Sequence, residues 1–198
     1  MTNYHNSWIH RLPPEILATV ASHLKDNASL VVATHACHLW RATLLASPRL
    51  WSHLDFENEE RALVFLERSK SSPLRVDLTG VYSPSEIVRE SLNGVATRVA
   101  MLWAMHDCFL DELWTQPMSM LETLEITEPE NFPPKRPIQC LPALTSFVVT
   151  GFDRLRFRTP LLTSFHLTHD PTIHSVEWTV AILLDFLRSC PLLEVAFF

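Results

Sequence analysis

The chain has 198 residues, 47% of them hydrophobic, and a formal net charge of −6. That share is ample for a packed core, and the length suits one ordinary domain or a small module joined to a modest second one. An acidic balance without a basic stripe argues against binding to nucleic acid or an anionic membrane, no run reaches the ~18 apolar residues of a membrane helix, and the scattered Cys37, Cys108, Cys140 and Cys190 form no close pair for zinc or redox work. A reduced, intracellular protein of the cytoplasm or nucleus is the expectation.

Pro13 and Pro14 predict an extended entry and a helix starting near Pro14, because proline disfavours helical geometry in the residue before it yet suits a first helical position. Ile16, Leu17, Val20 and Leu24 follow at helical offsets and define a face that needs cover. After Lys25-Asp26-Asn27, either Asn27 or Ser29 is a candidate cap for a second, short helix carrying Leu30, Val31 and Val32. A third helix places Cys37, Trp40 and Leu44 on one side and stops before Ser47-Pro48, after which Trp51 and Leu54 open the next layer.

The ordered set Leu12-Pro13-Pro14-Glu15-Ile16-Leu17, then Cys37-His38-Leu39-Trp40, then Pro48-Arg49-Leu50-Trp51, resembles an F-box. The continuation through Phe65-Leu66-Glu67-Arg68-Ser69 and Ser72-Pro73-Leu74 is similar to that of fungal F-box-like proteins. The sequence departs from the family pattern at Leu39, where a basic residue is usual, and at Ala21, where a larger apolar one is common. The resemblance implies a three-helix adaptor-binding domain over residues 8–56, with no catalysis and no cofactor or metal of its own. It implies docking onto the Skp-type adaptor of an SCF ubiquitin ligase, and through it onto cullin and RING subunits. The residues assigned to adaptor binding are Leu12 and Pro13 in the entry, Ile16, Leu17, Val20 and Leu24 on the first helix, Leu30 and Val31 on the second, and Trp40 and Leu44 on the third. Internal packing is expected to account for much of the burial of Trp40 and Trp51.

Beyond Phe56, Asn58 is read as the cap of a helix whose first turn holds Glu59 and Glu60, with Leu63 and Leu66 inward. Leu74, Val76 and Leu78 alternate with Arg75 and Asp77 as in a strand, ending at Thr79-Gly80. Ser83-Pro84-Ser85-Glu86 reads as a capping box ahead of a helix carrying Val88, Leu92 and Val95, and a later helix carries Val176, Val180, Leu183, Leu184 and Leu187.

A pattern of leucine, two residues, an apolar residue, one residue and another apolar residue recurs as Leu121-Leu124-Ile126, Leu144-Phe147-Val149, Leu162-Phe165-Leu167 and Leu193-Ala196-Phe198. Its steps of 23, 18 and 31 residues (121 to 144, 144 to 162, 162 to 193) scatter about the spacing of leucine-rich repeats. The fold class read from the whole chain is therefore α/β, a three-helix F-box followed over residues 57–198 by an irregular leucine-rich-repeat-like αβ solenoid. Prolines 129, 133, 134 and 137 mark a stiffened loop between two repeats, and the stop at Phe197-Phe198 points to a shortened or truncated solenoid.

Function on this reading is bridging: the box holds the adaptor and the repeats hold an unidentified client protein. Two other readings stand beside it. One is a shortened leucine-rich interaction protein that delivers no client; the other is a hydrolase or metalloenzyme using His35, Cys37 and His38, or His166, His169 and Asp170. Neither histidine group has the converging ligand spacing of a metal site, and Gly80, Gly94 and Gly151 lie in no phosphate-binding loop.

Overall fold

The structure is a computed structural model, and it describes residues 12–24, 26–81, 83–105, 113, 115–127, 139–150, 157–168 and 180–197. Helices α1 (Pro14–Ser22), α2 (Asn27–Ala33) and α3 (His38–Leu45) come first, and a 3-10 turn at Pro48–Trp51 leads into strand β1 (His53–Asp55). Helix α4 (Glu59–Ser69), β2 (Leu74–Leu78), α5 (Glu86–Val95) and β3 (Val99–Ala104) follow. Then come β4 (Thr123–Thr127), β5 (Gln139–Cys140), β6 (Ser146–Thr150), β7 (Phe157–Arg158), β8 (Ser164–Thr168), α6 (Val180–Arg188) and β9 (Val195–Phe197).

Seven strands form one open sheet in the order β1-β2-β3-β4-β6-β8-β9, and every pairing in it is parallel. Sheet order equals chain order, so each new strand is laid on the one before and no strand is inserted between earlier ones. Parallel neighbours require a crossover connection. Helices α4, α5 and α6 lie in three of these connections, while β5 and β7 lie in two others and pair with each other in a separate two-stranded sheet.

Register places one buried apolar residue from each of the first six strands in a row: Leu54, Val76, Leu102, Leu124, Phe147 and Phe165 are each Cα partners of the next and are fully buried, while Ala196 of β9 continues the row but is exposed. A second row sets Ala104 beside Ile126 and Val149. Because strand side chains alternate between faces, the intervening residues make up the other, more open face.

The turn entering each strand also repeats. The backbone N–H groups of Leu121, Leu144, Leu162 and Leu193 donate to the carbonyls of Met118, Leu141, Thr159 and Cys190, each three residues earlier. In three of these turns the second residue is proline (Pro142, Pro160, Pro191), whose fixed φ suits that position. The same bond joins Val99 to Ala96 ahead of β3. At the end of the box the Leu50 N–H donates to the Ser47 carbonyl across Pro48, a similar turn set one residue earlier relative to the buried row, and β1 follows directly after it.

The core follows this continuity. Ala21, Leu30, Leu44 and Trp51 belong to one cluster with Phe65, Val76, Leu102, Leu124 and Phe165. Trp51 Nε1–H donates to the Leu44 carbonyl at 2.8 Å, and the Arg68 guanidinium lies 4.6 Å over the Trp51 ring.

Several local expectations are met. Asn58 caps α4 by accepting from the Arg61 N–H at 2.9 Å, and β2 alternates with Leu74, Val76 and Leu78 buried. Others are corrected. The α2 cap is Asp26, whose Oδ1 accepts from the Ser29 N–H at 2.6 Å, while Asn27 donates its side-chain amide to the His53 carbonyl at 3.1 Å. A carboxylate at this position outcompetes the neighbouring amide because it satisfies both the Ser29 amide and hydroxyl. On α4 the fully inward residues are Ala62, Phe65 and Ser69, with Leu63 and Leu66 half-buried.

The expected box around Ser83 and Glu86 does not form. Ser85 is the cap of α5, accepting from the Val88 N–H at 3.4 Å, and its own N–H donates to Glu59 Oε1 at 3.0 Å. The carboxylate of the reciprocal cap is thus supplied by the preceding helix. Expectations at Val176, Phe198 and the proline loop of residues 129–137 lie outside the described residues.

Candidate adaptor-binding surface

Helix α1 starts at Pro14, whose missing N–H costs nothing in a first turn. Two adjacent stripes run along it. Leu17 and Ala21, four residues apart, are buried at 0% and 3% exposure. Ile16 and Val20, also spaced by four, stay exposed at 47% each, and Leu24, just past the end of the helix, is 36% exposed. A surface row of three branched aliphatic residues is a larger apolar feature than the single exposed side chains common on soluble proteins.

The ten assigned residues separate into three groups. Ile16, Val20 and Leu24 are presented to solvent with Pro13, and Leu12 is half-buried. Val31 and Trp40 are partly buried against the core. Leu17, Leu30 and Leu44 are covered by the chain itself, at 0%, 5% and 0% exposure, so in this conformation they support the surface from beneath. Sequence reasoning missed Val32, which is 69% exposed. Its position was available in the sequence: at about 100° per residue it lies roughly 200° around α2 from the buried Leu30.

Electrostatics hold the scaffold in place. Asp26 has its carboxyl group held below the ordinary 3.8, chiefly by the Ser29 backbone N–H and then by the Ser29 hydroxyl. Glu59 is likewise held below 4.5, by hydrogen bonds from Ser85. Burial pulls the Arg98 guanidinium down, and that group donates to Ser69 Oγ at 2.8 Å and to the Ser72 carbonyl at 2.9 Å, tying β3 to the end of α4.

Among the described residues no three His, Cys, Asp or Glu side chains are placed to share a metal ion, and no helix is long and apolar enough to cross a membrane. His35 and His38 are exposed. His166 stacks near Phe197 with ring centroids 5.4 Å apart, while His169 and Asp170 lie outside the described residues.

Three helices carrying an exposed aliphatic row thus run directly into the first strand of the sheet. Residues 9–57 match the F-box-like family model, about the first quarter of the chain, and the exposed stripe lies inside that segment. Neither the curated proteins nor the solved structures contain a significant match to the chain.

Proposed function

We propose that this chain is a non-catalytic, substrate-recruiting subunit of an SCF-type ubiquitin ligase, with the F-box-like segment docked on the Skp-type adaptor and the sheet presented to a client protein. The observation that carries this reading is the exposed row Ile16, Val20 and Leu24 within the segment that matches the F-box-like model. Such a row gains free energy when covered, about 25 cal/mol for each Å² of apolar surface removed from water. Val32, on α2, is a further exposed aliphatic residue within the same segment.

The second half of the proposal is that residues beyond the box form an irregular leucine-rich-repeat-like solenoid. Its support is the recurrence of one turn and one in-register apolar row through consecutive parallel strands. Stacking of this kind leaves one sheet face lined by variable side chains, here including Trp103, Glu125, Val148 and His166 in register. Recruitment acts through effective concentration, since a client held on that face meets the ubiquitin-charged enzyme in a nearly intramolecular encounter. This role places the protein inside the cell. Co-purification of the chain with a Skp-type adaptor tests the first half, and mass spectrometry of the other proteins retained tests the second.

A further inference from the structure

The open face of the sheet carries the row that alternates with the buried one. Asp55, Asp77, Trp103, Glu125, Val148 and His166 are Cα partners in turn, and all six are half-buried. Trp103 thus stands between Asp77 and Glu125, with one carboxylate on each neighbouring strand, ~5 Å to either side.

The three carboxylates differ in what already holds them. Asp55 Oδ2 pairs with the Arg61 guanidinium at 3.1 Å, and its Oδ1 accepts the Glu57 N–H at 3.0 Å. Asp77 Oδ1 accepts the N–H and the hydroxyl of Thr79 at 3.0 and 2.7 Å, which leaves its Oδ2 without a partner among the described residues. Glu125 has neither a side-chain hydrogen bond nor an ion pair there.

On this face of β2 to β4 the cation among the described residues is Arg75, two positions before Asp77. It makes no ion pair with Asp77, and it lines a cavity with Arg49 and Glu122 at the leading ends of the strands. With Arg75 counted, two carboxylates that lack a cation still stand against one guanidinium, in a chain whose net charge is −6.

A half-buried carboxylate without a partner is costly, and an indole face beside it attracts a cation. A guanidinium suits the place better than an ammonium, because it stacks flat on the ring while its N–H fork reaches carboxylates at its edges.

We propose that this row docks an arginine-bearing segment of a client protein, with the guanidinium on Trp103 between Asp77 and Glu125. Such a segment is the client of the recruiting role above, and the assignment rests on that reading.

The test is fluorescence anisotropy on the full chain with a labelled peptide carrying a single arginine among serines and alanines, and with its lysine and citrulline counterparts. Citrulline keeps the shape without the charge. Lysine keeps the charge, and so measures general attraction to an acidic chain. The arginine peptide is expected to bind roughly tenfold or more tighter than the citrulline peptide, and severalfold tighter than the lysine peptide. D77N/E125Q, which preserves the shape of both side chains, removes that margin, whereas R75Q leaves it in place or widens it. No binding of the arginine peptide, equal binding of either counterpart, an unchanged margin in D77N/E125Q or a margin lost in R75Q overturns the proposal. Adaptor affinity on the same preparations separates the two claims. Adaptor binding without arginine preference overturns the role of the row alone, whereas arginine preference without adaptor binding overturns the ligase reading and supports the row.

Discussion

Trp51 and Phe65 meet edge to face, with ring centroids 4.8 Å apart and planes at 87°. Trp51 lies near the end of the segment that matches the F-box-like model, and Phe65 belongs to the first helix beyond it. Both rings are buried, so the box and the sheet share one interior and no seam separates them. A unit of about 45 residues is close to the size at which a domain seldom stabilises itself alone, and α4 supplies the missing cover.

Phe65→Ala is accordingly expected to destabilise the whole chain by about 3–5 kcal/mol, the usual cost of truncating a buried phenylalanine. A chain ending after residue 57 should show no cooperative unfolding by urea titration followed by circular dichroism. A sharp transition in the shortened chain would mean that the box is an independent domain.

Acid should weaken the fold through Asp26 and Glu59. Both carboxyls are held below their ordinary values of 3.8 and 4.5 in the folded chain, so the unfolded chain binds more protons in that window. Their contribution is complete above the unfolded values and is lost as pH falls through the folded ones. Urea midpoints should fall between about pH 5 and pH 3, and D26N/E59Q should flatten that slope while lowering stability at neutral pH. An identical slope in the variant would place the acid sensitivity elsewhere.

The buried row of the sheet predicts a contrast between its two faces. Phe147 is fully buried and packs 5.7 Å from Phe165 between ring centroids, so Phe147→Ala should cost about 3–5 kcal/mol. Ser146, its neighbour on the opposite face, should tolerate alanine within about 0.5 kcal/mol. Denaturant titrations of both variants check this, and comparable losses would contradict the assigned faces.

Much of this architecture was legible in the sequence because its signals are local. Asn58 before two glutamates defines a helix start, and Leu74, Val76 and Leu78 alternate over a stretch too short for anything but a strand. The four later occurrences of the leucine pattern were visible because leucine occupies their first position. The equivalent positions ahead of the first three strands carried no such signal. Trp51 and Val99 stand where leucine does later, and a bulge between Leu74 and Arg75 shifts the phase of β2 against β3.

The two capping errors differ in origin. Asp26 caps α2 through Ser29, three residues on, a local contact the sequence did offer, whereas Ser85 is held by the carboxylate of Glu59 on another helix, which sequence spacing does not contain. For the candidate adaptor surface, helical periodicity identified the apolar side of α1. It did not reveal that Leu17 and Ala21 are covered within the chain while Ile16 and Val20 stay outside.

That division makes the adaptor contact the most direct test of the central claim. The measurement is isothermal titration of purified chain with purified Skp-type adaptor, using wild type, Ile16→Asp and Val20→Asp. Each substitution places a charge on an exposed position, and Asp at 16 sits in the first turn of α1 where a carboxylate suits the helix dipole, so both variants should melt like wild type. Leu17→Asp, by contrast, buries a charge and should fail to fold. Binding by the wild-type chain with a loss of about 2 kcal/mol or more, roughly 30-fold, in either exposed variant is the predicted result. No binding by the folded wild-type chain, or equal affinity in all three, would contradict the adaptor role.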